Sequence, residues 1–169
     1  MSMDLAILHW IQDFIHHPLV IELFKLITLT GDGGCLWLVL ALVLVLKGER
    51  KKALFLLLTL GLTSLVVNQG LKLIVLRDRP FITDPTLIPR ITPPKSTSFP
   101  SGHSATSMCC AFFLFLTDKN LFGRASLVWG ILICLSRLVL LVHYPTDVLC
   151  GALIGMMIGF LMFKLKEQH

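Results

Sequence analysis

Long apolar runs separated by short polar breaks dominate the chain. Residues 18–46, 53–76, 101–117, 125–142 and 147–163 are each mostly apolar. Each approaches the roughly 20 residues that cross a hydrocarbon core as a helix. The pattern predicts an all-α fold, a polytopic transmembrane helical bundle forming one integral-membrane domain over 1–169. The first stretch differs. Over 3–16, Leu5, Leu8, Trp10, Ile11, Phe14 and Ile15 mix with Asp4, Gln12 and Asp13, which predicts an amphipathic interfacial helix within 1–17. His16-His17-Pro18 ends it. Gly31-Asp32-Gly33-Gly34 interrupts the first long run. Read as an irregular middle it leaves five spans; read as a turn it makes six short ones. Irregular backbone at depth needs protein or a cavity to cover it.

Composition agrees with the pattern. The chain is 55% hydrophobic and 15% charged, with a mean hydropathy of +0.82, whereas a soluble domain carries about 25% charged residues. The net charge of +5 does not point to nucleic acid, because the cations fall in short clusters between apolar runs and form no stripe with interleaved aromatics. Cys35, Cys109, Cys110, Cys134 and Cys150 all lie in apolar segments without C-x-x-C spacing. They read as small buried hydrophobes, with no disulfide framework and no metal site. The N-terminus lacks the basic start of a signal peptide.

Charge also orients the bundle. Lys47, Arg50, Lys51 and Lys52, then Lys119 and Arg124, then Lys164 and Lys166 fall on one side by the parity of the spans. That side is expected to be cytoplasmic. The 77–99 loop, the start of the 101–117 span and the corner near 143–147 are then extracytoplasmic. Arg77, Arg79, Arg90 and Lys95 in that loop break the rule, and binding an anion would explain them. In the last span Gly151, Gly155 and Gly159 repeat every fourth residue. They lay a smooth stripe on one helix face, for packing inside the bundle or for a homodimer seam.

Ionisable residues in or beside a span are costly and mark function. Three clusters meet on the expected outer side: Lys72 with Arg79-Pro80; Pro100-Ser101-Gly102-His103; and Ser136-Arg137 followed by His143 and Asp147. Lys72, Arg79 and Arg137 supply cations, and arginine forks match phosphate oxygens. Ser101 and Gly102 open a helix, where free N–H groups and the dipole favour an anion. The set describes a phosphate cradle that needs no metal. Asp147, one turn after His143, would fix its tautomer and make it a nucleophile. His103 would protonate the leaving oxygen and later activate water.

These motifs, Lys72-x6-Arg79-Pro80, Pro100-Ser101-Gly102-His103 and Ser136-Arg137-x5-His143-x3-Asp147, resemble the three-part signature of the type-2 phosphatidic-acid phosphatase superfamily. The resemblance covers residues from about 18 to 165. It implies a phosphohistidine intermediate on His143 oriented by Asp147, His103 as the acid, no cofactor, and phosphate held by Lys72, Arg79, Ser101, Gly102 and Arg137. Ser136 would bind phosphate or support Arg137. Members act on polyprenyl diphosphates, phosphatidic acid, phosphatidylglycerophosphate, lipid A and sugar phosphates. Arg77, Arg90 and Lys95 would contact a second phosphate or anionic head groups, which favours undecaprenyl diphosphate. A glycerophospholipid phosphatase is the alternative. A non-catalytic lipid-phosphate binder is the rival of another class, although such a protein has no use for His103 and His143 together. The expected setting is a plasma membrane with the site on its extracytoplasmic face.

Overall fold

The computed structural model describes residues 2–168. Among these the regular structure is helical, with no strand: α1 (Met3–Phe14), α2 (Pro18–Gly31), α3 (Cys35–Leu46), α4 (Arg50–Ser64), α5 (Lys72–Ile74), α6 (Pro80–Thr83), α7 (Gly102–Thr117), α8 (Leu121–Val139) and α9 (Pro145–Gln168). Four stretches are long and apolar enough to cross a membrane: Pro18–Leu46, Arg50–Ile74, Leu121–Val139 and Pro145–Gln168. The expected 101–117 span is the shorter apolar helix α7, which the others enclose.

The Gly31–Gly34 break joins α2 and α3 through a 3₁₀ turn at Asp32–Gly34. Gly33 and Gly34 take φ of 58° and 74°, the left-handed region that only glycine enters without strain. A Cβ on Gly34 would meet Leu60 of α4 at 2.9 Å. The break therefore redirects one stretch within the bundle. Trp129 of α8 donates to Thr30 Oγ1 at 3.0 Å on one side of it, and α3 packs along α4 on the other.

A second irregularity follows α4. Residues Leu65–Leu71 form a π-helical segment, a wider turn that favours functional sites. It keeps Ser64, Asn68 and Lys72, spaced four apart, on the face that lines a cavity.

Helix α7 is the hub. Its N-cap Ser101 accepts from Ser104 N–H at 3.4 Å, as a capping serine should. It packs most extensively on α9 and α8. Cβ atoms on Gly151 and Gly159 would sit 2.6 and 2.5 Å from the carbonyl oxygens of Ser101 and Cys109, and one on Gly155 would overlap the carbonyl of Ala105. The glycine stripe is thus spent on α7 inside the bundle, the first of the two uses open to it, and the alternative of a homodimer seam is not supported. The core around it joins Trp37, Leu56, Phe113, Leu114 and Ile133. Buried hydroxyls of Thr59, Thr63, Thr106 and Ser126 bond carbonyls one turn back, the economical solution where no water is at hand.

Helix α1 has Ser2 at its N-cap. Leu8 and Ile11 pack on Leu87, Leu141 and Tyr144 at the Lys72 end of the bundle, while Trp10 and Phe14 stay exposed. At the opposite end Lys52 ties α4 to Asp118 at 2.8 and 2.9 Å. The five cysteines are free thiols.

Candidate active site

The corner between α8 and α9 holds the most constrained histidine. Leu141 takes a left-handed φ of 59°, a conformation that costs about 1–3 kcal/mol for a non-glycine residue, and the chain turns there before His143. Tyr144 is the residue before α9, and Asp147 at the third helical position reaches back to its N–H at 3.0 Å, half of a capping box. The same oxygen, Oδ2, accepts from Ser98 Oγ at 2.5 Å and faces His143 Nδ1 at 3.5 Å. The other oxygen, Oδ1, accepts from Arg77 at 2.7 Å. A carboxylate held on both oxygens fixes the ring it faces. Burial pushes the His143 imidazole down to about 3, outweighing the pull of Asp147. The ring is neutral at physiological pH and keeps a lone pair for bonding.

The cations surround the far ring nitrogen. Arg79 Nη1 lies 3.3 Å from His143 Nε2 and donates to the Val142 carbonyl at 2.7 Å, while Nε donates to the Ser96 carbonyl at 2.7 Å. Burial lowers its guanidinium to about 10, which leaves it charged at neutral pH. Arg137 donates to Thr28 Oγ1 at 2.5 Å, yet its Nε is buried without a partner among the described residues. A buried donor left unpaired is costly, and an anion would satisfy it. Lys72 reaches Ser96 Oγ at 3.4 Å. The N–H groups of Gly102 and His103 open α7 with no intrahelical partner to take.

His103 stands across the same cavity, with Nε2 at 2.6 Å from Asp32 Oδ1. The cavity, of about 1300 Å³, is lined by Lys72, Arg79, Gly102, His103, Arg137 and His143. It continues past Asn68 and Ser64 to Leu29, Leu38, Leu57 and Leu60, so charged and apolar surfaces are parts of one space.

The structure places the other expected residues differently. Ser136 does not line the cavity; its hydroxyl donates to the Ile133 carbonyl at 2.6 Å within α8. Its hydroxyl makes no hydrogen bond to Arg137 among the described residues and is already used, because a serine inside an apolar helix satisfies itself on the preceding turn. Ser101 is buried behind the cavity wall as the cap of α7. Arg77 is not free for a second phosphate. Its guanidinium is held by Asp4 at 2.8 Å, Thr146 at 2.7 Å and Asp147, and lies 3.8 Å over the Tyr144 ring. Arg90 lines the cavity, but it also bonds the carbonyls of Val139 and Gln12. Lys95 lies outside the lining. Three residues escaped the sequence reading: Asp32, Ser98 and Asn68. Asp32 carried a signal, a carboxylate in the middle of an apolar stretch. Ser98 and Asn68 carried none, since only tertiary contact brings them in.

Buried cations ringing a histidine, in a cavity that runs on into an apolar bundle, define a class: phosphatases that work at a membrane. A sequence model of the PAP2 superfamily matches residues 52–169, and the chain belongs to that superfamily. It is a lipid phosphatase. It is 28% identical over 170 residues to Undecaprenyl-diphosphatase BcrC of Bacillus subtilis, covering 98% of this chain and 85% of that one. It is 31% identical over 165 residues to an Undecaprenyl-diphosphatase of Sulfolobus acidocaldarius, covering 87% and 78%. The crystal structure of Aquifex aeolicus LpxE superposes with a TM-score of 0.85 at 27% identity, over 97% of this chain and 96% of that one.

Proposed function

We propose that the chain removes phosphate from undecaprenyl diphosphate, or a closely similar polyprenyl diphosphate, through a phosphohistidine on His143. The observation that carries this reading is the position of His143 Nε2, 3.3 Å from Arg79 inside the ring of cations while Nδ1 is backed by Asp147. Lys72, Arg79, Arg137 and the N–H groups of Gly102 and His103 hold the terminal phosphate. His143 Nε2 attacks phosphorus; a P–N bond forms and the bond to the leaving oxygen breaks. His103 gives that oxygen a proton, then takes one from a water that attacks the phosphohistidine, and inorganic phosphate leaves. The lipid tail is supported by the apolar arm of the cavity at Leu29, Leu38, Leu57 and Leu60. The substrate class is supported by the names of the two relatives.

The cation distribution favours a plasma membrane with the site on the extracytoplasmic face, and exposed Trp10 and Phe14 on α1 favour an interfacial position for that helix. The test is phosphate release by detergent-purified protein in EDTA from undecaprenyl diphosphate, undecaprenyl phosphate, phosphatidic acid and phosphatidylglycerophosphate, each with wild type and His143→Gln. Highest kcat/KM on the diphosphate, lost in the variant and inhibited by vanadate, is the expected result. Preference for a glycerophospholipid would move the substrate, and strict dependence on a divalent cation would sink the mechanism.

A further inference from the structure

Asp32 is a carboxylate inside a membrane-crossing stretch, where a charge is expensive unless it has a task. Its surroundings show which task. An aspartate ahead of a helix ordinarily caps it, but this one does not: the residue before α3 is Gly34, and α3 has no side-chain cap. Among the described residues the only hydrogen-bond partner of the Asp32 carboxylate is His103 Nε2, at 2.6 Å. The helix break itself is fitted to that ring. A Cβ on Gly31 would come within 3.0 Å of His103 Cδ2 and 3.1 Å of Ile133 Cγ2. The Cδ2–Nε2 edge of the imidazole therefore faces the Gly31–Asp32 turn, and the Nδ1–Cε1 edge faces away from it. No partner of Nδ1 is found among the described residues.

We infer that Asp32 is a positioning residue for His103: it holds Nε2–H, fixes the ring and its charge, and so assigns the proton given to the leaving oxygen to Nδ1. This rests on His103 being the acid, as proposed above. In the transfer the Nδ1–H bond breaks as the new O–H bond forms, and the ring is left neutral with Nε2–H still on Asp32. Hydrolysis of the phosphohistidine returns a proton from water to Nδ1. The kink in the α2–α3 stretch then has a chemical purpose, which is to bring a carboxylate from a distant part of the chain to the start of α7.

A leaving group that needs no proton separates this role from a structural one. The measurement is kcat/KM of the full-length protein on a long-chain alkyl monophosphate, whose leaving alkoxide needs an acid, and on p-nitrophenyl phosphate, whose leaving phenolate does not. Asp32→Ala is expected to lower the alkyl value by about 10- to 100-fold and the nitrophenyl value by less than about threefold. Asp32→Glu, which keeps the carboxylate on an exposed side chain, should recover most of the loss, with an unchanged thermal midpoint in both variants. His103→Ala should show the same selectivity more strongly. Equal losses on both substrates, or no loss on either, in Asp32→Ala would overturn the inference. If His103→Ala is itself unselective, the assignment of His103 as acid falls first; if it is selective and Asp32→Ala is not, Asp32 alone is wrong.

Discussion

The cavity has an imidazole–carboxylate pair on each side, and the two are built differently. His143 and Asp147 have side chains 2% and 0% exposed, 3.5 Å apart. The pair is over-determined, since Asp147 also bonds Ser98, the Tyr144 N–H and Arg77. His103 and Asp32 are 24% and 57% exposed, at 2.6 Å, and Asp32 has no other partner among the described residues. The difference follows from the work proposed for each ring. A nucleophile must present one lone pair along one line and stay neutral, which burial and a rigid carboxylate secure. An acid that later activates water must touch solvent and change charge, which burial would oppose. On that proposal the same two functional groups serve opposite purposes because the fold surrounds one and leaves the other at the cavity wall.

The largest effect that would break this contrast lies at His143. His143→Gln should cost about 10⁴-fold or more in kcat and abolish an acid-labile radiolabelled phosphoenzyme in rapid-quench assays. Near-normal turnover would show that the buried ring is not the nucleophile. Asp147→Asn is expected next, at about 10³-fold in kcat, because a carboxamide disturbs the tautomer that the carboxylate holds. The loss should appear with good and poor leaving groups alike, unlike that of Asp32→Ala; if it follows the leaving group, the two pairs have been assigned the wrong way round. Ser98→Ala removes one of several partners of Asp147 and should cost about tenfold, measured as kcat on the same lipid.

Acid sensitivity sharpens the burial half of the comparison. The His143 imidazole sits at about 3 when folded, against an ordinary 6.5. The unfolded chain therefore binds a proton there first as pH falls. Stability is independent of this group above about 6.5 and declines from there towards 3, by up to ~1.4 kcal/mol per pH unit. Thermal midpoints of wild type should fall across that window, and those of His143→Gln should fall less. Identical slopes would contradict a neutral buried ring. The smallest effect expected is that of Gly155→Ala, whose Cβ overlaps the Ala105 carbonyl. It should destabilise by about 1–3 kcal/mol and lower activity on all substrates equally, because α7 carries His103 and α9 carries Asp147. Loss of a dimer in detergent, with stability unchanged, would instead restore the homodimer seam.

Much of this was legible in the chain. Lys72, Arg79, Gly102, His103, Arg137 and His143 were picked out by residue type at span ends, and all line one cavity. Residue type alone misassigned Ser136 and Arg77. Ser136 looked like a phosphate ligand because it precedes Arg137, but on a helix adjacent residues point in different directions. Arg77 looked like a spare cation because it breaks the charge pattern of the other loops; its partners Asp4 and Asp147 lie 73 and 70 residues away.

What the sequence determined by itself is what depends on composition and short periods: apolar helices long enough to cross a membrane, a kink where glycines surround an aspartate, and a cationic end with two histidines. Those properties follow from local propensity and from the cost of charge in hydrocarbon, which act wherever the residues are placed. Tertiary structure alone decided that Asp32 stands on His103, that the glycine stripe faces α7, and that Ser98 and Asn68 belong to the site. These are contacts between distant segments, and their energies exist only once the helices have packed at particular angles and registers.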